Sequence, residues 1–339
     1  LKETKNNERQ NSTTLSEKGI FYTFIFNDKY FNCFLKIEDK KIKFCSEITS
    51  DEYSKLISES GRFKSIKKFK SFPINLGAFN NELPIIIIQN LKEEYYLDEA
   101  ASYLFIDKNI KNKNLKFFFK NKKAKLIVNG EFDEVTFYFE KDFLYEKDHF
   151  NTVRYDKNLL TGCVNYFDTH FKDVTIISES MICEDSINIK NSFGKIEKIK
   201  INNSYFDALD FDFSNLNINE IFINNAGNDC LDFSFGNYLV SNAELKKCGD
   251  KGISVGEKSE VNLGKAKITL SNIGIASKDS SITNITDISL ENIETCLAAY
   301  NKKREFEGSV LNVKNLSCKK FKFKKKVDAL SEINISNEL

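Results

Sequence analysis

The segment Asp207-Ala208-Leu209-Asp210-Phe211-Asp212-Phe213 returns 22 residues later as Asp229-Cys230-Leu231-Asp232-Phe233-Ser234-Phe235. Further steps of 22 reach Lys251–Glu257, Ile273–Asp279 and Thr295–Asn301, and a backward step reaches Asp185–Lys190. A fainter match at Cys163–Tyr166 extends the register, which reads as unbroken from 163 to 317. The third column of this alignment (Ile187, Leu209, Leu231, Ile253, Ile275, Leu297) is apolar throughout, and the fifth (Ile189, Phe211, Phe233, Val255, Ser277, Ala299) runs from apolar to small. The fourth column between them (Asn188, Asp210, Asp232, Ser254, Ala276, Ala298) is polar, then small. Alternation of period two describes a strand with one buried face. A second apolar strand recurs in each unit, as in Ile218–Ile223, and Asn, Ser, Gly and Asp fill the corners.

A unit of two or three short strands cannot bury its apolar face alone, but stacking each turn on the next pairs every backbone group and builds a continuous interior. The expected fold is therefore all-β, a right-handed parallel β-helix with 22-residue coils. A leucine-rich repeat has a similar period but needs a Leu-x-Leu pattern that is missing here. Upstream runs at Asn114–Phe119, Ala124–Phe132 and Val135–Phe139 read as earlier coils, with an insertion near Leu144–Lys157. The Lys125–Phe132 strand, with its central Asn-Gly, and the stacked Asp229–Phe235, Lys251–Glu257 and Ile273–Ser280 coils carry a family likeness. Over roughly residues 100–325 the chain resembles the right-handed parallel β-helix proteins of the pectin-lyase-like superfamily. That resemblance implies lyases, hydrolases or epimerases acting on acidic polysaccharides, often with Ca²⁺ on the helix face. The chain carries neither the polygalacturonase Asn-Thr-Asp plus Asp-Asp arrangement nor a pectate-lyase Arg motif.

Outside the repeats, residues 1–18 are polar and read as a disordered linker. Residues 19–90 alternate strands with one helical candidate, Ser50–Ser60, and read as a small mixed N-terminal cap domain. The β-helix is expected over 91–325, and 326–339 as a C-terminal cap or tail, because an open solenoid end exposes unpaired strand edges. The basic run Lys319–Lys326 with interleaved Phe reads as an edge strand kept soluble by lysines.

Lys and Arg number 50 against 49 Asp and Glu, so no basic excess marks a nucleic-acid binder. Two histidines exclude a His-rich metal centre, and the run Leu83–Ile88 is far too short to span a membrane. The chain opens on Leu1 rather than Met and reads as a processed or truncated product of a secreted or cell-surface protein. Eight cysteines form no CxxC pair. Cys33 and Cys45 are spaced to face each other across a hairpin, while Cys230 and Cys296, three coils apart, are too distant for a disulfide with one another and read as small fillers.

With columns three and five inward, columns two, four and six are expected outward. Column two (Ala208, Cys230, Gly252, Gly274, Cys296) is uniformly small and suggests the floor of a groove for an extended polymer, walled by the loops at 144–157 and 301–308. Asp210 and Asp232 stand one coil apart, with Lys278 further along, and are the candidate catalytic groups. Asp210, Asp212 and Asp232 are candidate ligands for Ca²⁺. Asp212, Ser254, Lys251, Tyr300 and Lys303 are candidate substrate contacts. The expected function is to bind, and to cleave or epimerise, an acidic polysaccharide along this groove. The alternative is a non-catalytic surface, adhesion or tail-spike-like rod. Oligomeric state stays open, a trimer included.

Overall fold

The computed structural model describes residues 19–26, 29–36, 41–49, 51–52, 85–88, 90–142 and 160–339. The chain divides at Glu82/Leu83 into two compact units. In the first, Gly19–Phe26, Lys29–Lys36 and Lys41–Ile48 form an antiparallel three-stranded sheet. Its register sets Cys33 opposite Cys45, as their spacing suggests; whether a disulfide joins them, which the sequence leaves open, lies outside the described residues. Thr49 and Glu52 form a reciprocal capping box: the Glu52 N–H donates to Thr49 Oγ1 at 3.2 Å, and the Thr49 N–H donates to Glu52 Oε2 at 3.0 Å. That cap opens the expected helix at Asp51. The rest of Ser50–Ser60, the linker 1–18 and the insertion 144–157 lie outside the described residues.

The second unit is the expected parallel β-helix, of about 10 turns. Every strand from Ile85–Ile88 to Glu332–Glu338 pairs in parallel with its neighbour one coil away. The two inward columns are the spine of the core. Ile187, Leu209, Ile275 and Leu297 are completely inaccessible, as are Ile189, Phe211, Val255 and Ala299. Burying such a side chain contributes about 1.5–3 kcal/mol, and the stack repeats that gain coil after coil. Phe211 and Phe233 stack with centroids 5.0 Å apart, nearly parallel at 7°.

The coils turn at corners in the left-handed region. One corner column is Asn203, Asn225, Lys247, Leu270, Asn292 and Lys320; another is Asn191, Phe213, Phe235, Glu257 and Asp279. Asn suits such positions because its short polar side chain tolerates them. Asn ladders run along other edges, as where Asn284 Nδ2 donates to Asn262 Oδ1 at 3.0 Å and Asn312 Nδ2 to Asn284 Oδ1 at 2.8 Å.

Two sequence expectations need correction. The register is not unbroken. Val164 pairs with Ile187, one residue beyond a 22-residue step. Ile282 pairs with Val310, so one coil has 28 residues and holds 301–308 as an inserted loop. Column two, moreover, is not a groove floor. Ala208, Cys230 and Cys296 have no accessible surface, and a Cβ on Gly252 would stand 2.6 Å from the core side chain of Ile268. These residues sit where the chain turns into the strand, so both column two and column three point inward and the alternation fails there. Cysteines of this column are bridged within the interior, Cys230 to Cys248 and Cys296 to Cys318, and Cys163 is bridged to Cys183.

The C-terminal segment takes the form of further coil. Val310–Val327 pairs with Ile282–Tyr300, and Glu332–Glu338 covers only Val310–Leu316 of it. The basic run thus lies along a strand whose far edge is partly open. Lys322 and Lys326 sit over the Phe323 ring at 5.1 and 4.5 Å. Among the described residues no helix is long and apolar enough to cross a membrane.

The Cys230–Cys248 bridge closes a loop of 18 residues and is expected to contribute about 3 kcal/mol by restricting the unfolded chain. The double variant Cys230→Ala/Cys248→Ala is expected to lower the urea midpoint accordingly. An unchanged midpoint would show that the stacked core alone sets stability.

Candidate functional site

The strand face running from Asp185–Lys190 to Thr295–Tyr300 brings the candidate residues together through register alone. Asn188 pairs with Asp210, and Asp210 with Asp232; one coil on, Ser254 pairs with Ala276, and Ala276 with Ala298. Alongside runs a second ladder, in which Lys190 pairs with Asp212, Asp212 with Ser234, and Lys278 with Tyr300. At the start of the same strands Asp185 stands beside Asp207, and the Asp229 N–H donates to Asp207 Oδ1 at 2.7 Å.

Stacked carboxylates repel and lose water together. Burial, and then the neighbouring charges of Asp229 and Asp185, push Asp207 up to about 8. Burial raises Asp185 to about 7. Asp229 rises to about 6, burial outweighing the Lys251 ammonium that opposes it. Asp210 is driven well above the usual carboxylate range by burial and then by Asp212, Asp185 and Asp232. Asn188 is the hinge of this group. Its Nδ2 donates to Asp210 Oδ2 at 2.9 Å and to Asp212 Oδ2 at 3.1 Å. Lys190 Nζ meets the same Asp212 oxygen at 3.1 Å, and its own charge is reinforced there against the cost of burial.

Lys278 is 4 % exposed. Its Nζ lies 4.0 Å from Asp232 Oδ1, which belongs to a rung two coils away. The lysine stem passes over Gly256, where a Cβ would stand in ordinary van der Waals contact with it, 3.5 Å from Lys278 Cε and 3.8 Å from Nζ. Beneath this bridge, Asp232 Oδ1 and the fully buried Ser254 Oγ have no hydrogen-bond partner. Ser254 and Lys278 were expected in open solvent; the long lysine stem lying along the rod explains why they are covered. Tyr300 is partly buried on the adjoining rung, and burial lifts its hydroxyl above the usual range against the pull of Lys278 and Lys251.

The remaining candidates are engaged elsewhere. Lys251 Nζ lies between Asp229, at 3.3 Å, and Asp250, at the strand entry rather than on the open face. Burial works against its charge, yet those two carboxylates raise it above an ordinary lysine. Lys303 sits on the inserted loop and pairs with Glu257, which also accepts from Ser234 Oγ at 2.6 Å. The loop is anchored by Asp279 Oδ1, which accepts from the Lys302 and Lys303 N–H groups at 2.6 and 2.8 Å. It forms the one described wall of the face. Among the described residues no group of three or more acidic, His or Cys side chains is arranged to hold a metal ion. Of the acids expected to hold Ca²⁺, Asp212 is met by an ammonium and an amide, and the Lys278 ammonium stands 4.0 Å from Asp232.

Sequence reasoning missed Asn188, Lys190, Asp185, Asp207, Asp229 and Glu257. Column one of the repeat, reading Asp185, Asp207, Asp229, Lys251, carried the signal for the buried acids.

No family model matches the chain, and no curated protein matches it. Among solved structures it is similar to a double mutant of the periplasmic alginate epimerase AlgG. The identity is 10%, the match covers 73% of this chain and 79% of that one, and the TM-score is 0.34. The reading of the site rests on its own residues.

The acidic ladder fixes a pH dependence. Unfolded carboxylates titrate near 3.9, whereas Asp229, Asp185 and Asp207 titrate near 6, 7 and 8 in the fold. The native state therefore binds more protons than the unfolded chain between about pH 4 and 8, and stability falls as pH rises through that window. Thermal melts are expected to show Tm declining from pH 4 to 8. Asp207→Asn is expected to flatten the decline and to gain roughly 1–3 kcal/mol at pH 8; a variant that melts with the wild-type pH profile would contradict this.

Proposed function

We propose that the protein is a carbohydrate-active β-helix that binds a polysaccharide lengthwise on the ladder face and acts on it with the carboxyl pair Asp210 and Asp232. The observation that carries this reading is the Lys278–Asp232–Ser254 group: a buried ammonium 4.0 Å from Asp232 Oδ1, with that oxygen and the Ser254 hydroxyl left without a hydrogen bond, on the face lined by perturbed acids. Buried polar groups are ordinarily satisfied, and clustered exceptions mark functional sites. Successive rungs repeat about every 4.8 Å along this face, a spacing that suits an extended polymer lying on it.

The acid–base chemistry follows from the contrast between neighbours. Asp210, whose carboxyl burial and its acidic neighbours hold well above the usual carboxylate range, is the group suited to give a proton to a glycosidic oxygen. Asp232, one rung away with Lys278 at 4.0 Å, is the partner carboxyl. Adjacent rungs match the closer of the two carboxyl spacings that glycosidases use. Tyr300, only partly buried, borders the pair as a hydrogen-bonding contact, and the buried Ser254 hydroxyl lies on the next rung. Three interior disulfides support secretion or export to an oxidising compartment. They also fit the rival rod-like surface protein, which would show the same fold without the chemistry.

Affinity electrophoresis and reducing-end release against a panel of uronate-containing and uncharged polysaccharides test the reading. Retention and release are expected on at least one polymer. Asp232→Asn is expected to cut release by about 10²–10⁴-fold while leaving retention, and Lys278→Ala to weaken retention by about tenfold or more. A wild-type protein that retains no polymer would return the structure to the rod. Both variants behaving as wild type would remove the site.

A further inference from the structure

We propose that the uncovered strand edge of residues 319–327, at the C-terminal end of the β-helix, docks an extended acidic peptide segment of another protein as one more strand. This site is separate from the ladder face and does not depend on the polysaccharide reading. The last coil covers the strand before it only in part. Glu332–Glu338 pairs with residues 310–316, and the Leu339 N–H donates to the Leu316 carbonyl at 2.8 Å. From 321 to 327 the strand is paired on one side, with residues 293–299. Among the described residues no strand lies along its other side. An edge of this kind presents a row of backbone donors and acceptors that have no partner in the sheet. The Cys296–Cys318 bridge pins the strand to the coil before it just where that row begins.

The side chains at this edge hold positions that a further coil would bury. Phe321, Phe323 and Val327 pair with Ile293, Thr295 and Ala299, which are at most 2% exposed. Yet Phe321, Phe323 and Val327 are themselves 42, 39 and 51% exposed. Apolar groups gathered on an open end mark a place that another chain can cover. A strand laid on this edge sets every second side chain toward them, because the side-chain period of a strand is two.

Charge selects the partner. Lysines stand at 319, 320, 322, 324, 325 and 326, and three glutamates answer them. Glu291 lies 2.9 Å from Lys320 and its charge is also favoured by Lys319; Glu294 lies 3.7 Å from Lys322, and Glu338 meets Lys324. Asp328 is taken up by the N–H groups of Asn301 and Leu330. Lys325 and Lys326 make no ion pair among the described residues, Lys326 resting over the Phe323 ring instead. This excess of positive charge sets the edge against a second copy of itself, since like charges on facing strands repel. The same lysines attract an acidic strand. Its backbone completes the ladder, its apolar residues cover Phe321, Phe323 and Val327, and its carboxylates reach Lys325 and Lys326. A polyanion with no peptide backbone meets the lysines alone and leaves the backbone row unpaired.

Fluorescence anisotropy of the full chain with a labelled synthetic peptide of alternating Val and Glu is the test. The comparison probes are a Val-Lys peptide of the same length, the Val-Glu peptide N-methylated throughout, and a single-stranded oligonucleotide. The Val-Glu peptide is expected to bind and the Val-Lys peptide to fail. N-methylation, which removes the backbone donors, and the variant Lys325→Glu/Lys326→Glu are each expected to weaken binding tenfold or more. Hydrogen exchange on the wild type is expected to slow at the amides of 319–327 when the Val-Glu peptide is added, an arm that holds even if the variant folds poorly. A wild type that binds no Val-Glu peptide would overturn the proposal. Equal binding of the N-methylated peptide or the oligonucleotide, without slowed exchange, would make the run a general polyanion patch and overturn the strand. A solution mass above one chain that the variant returns to one chain would assign the edge to a second copy instead.

Discussion

The constraint on which the structure depends is in-register parallel stacking. Each residue of a coil sits directly on its counterpart in the next, so the side chains of one column must tolerate their own kind at about 4.8 Å. Apolar columns satisfy this without cost: Ile187, Leu209, Leu231 and Ile253 build a continuous buried stack. Asn columns satisfy it by donating amide to carbonyl along the rod, as Asn262, Asn284, Asn312 and Asn334 do. Carboxylates satisfy it badly. Two unit charges at that separation repel by roughly 3 kcal/mol at an effective dielectric near 20.

Against that rule the chain stacks Asp185, Asp207 and Asp229 in one column and Asp210 on Asp232 in another. Three devices make this possible. The carboxyls hold protons to unusually high pH. Asn188 ends the Asp210 column with a neutral donor that serves two acids. Lysines enter from neighbouring columns, Lys190 to Asp212 and Lys251 to Asp229. A column of Asn throughout would remove the conflict at once, as the other ladders demonstrate. Keeping the acids is therefore a departure from the locally stable solution, and such departures are expected where function resides.

Much of this was legible in the sequence because stacking turns three-dimensional adjacency into a fixed sequence interval. The core columns, the coil length and the juxtaposition of Asp210 with Asp232 follow from that interval alone. What failed did so at corners and along the rod. Cys230 obeys the alternation for an outward residue, but the chain bends there and the side chain turns inside to meet Cys248. Lys278 reaches Asp232 two coils away, a reach that no column-by-column alignment contains. The 28-residue coil was hidden because an insertion at a corner leaves the strands on either side with intact alternation. At the open end the inward column accepts a charge: Leu297 pairs with Lys325, since no further coil among the described residues buries that position.

The inserted loop leaves the ladders of the solenoid undisturbed. Residues 301–308 leave the coil after Tyr300, and the strand from Val310 rejoins the stack in register with Ile282. The feet of the loop are fixed by Asp279 and by Asp328, whose Oδ2 accepts from the Asn301 N–H at 2.6 Å. From there Lys303 reaches Glu257 and Phe306 reaches Phe235, on two successive members of the left-handed corner column. The loop thus meets the face where the acids give way to the aromatic pair. Because the ladders above and below stay paired, the loop is free to vary in sequence at little cost to the fold. The Asp and Phe residues of the stacked columns have no such freedom, since every substitution there is felt by the coil on either side.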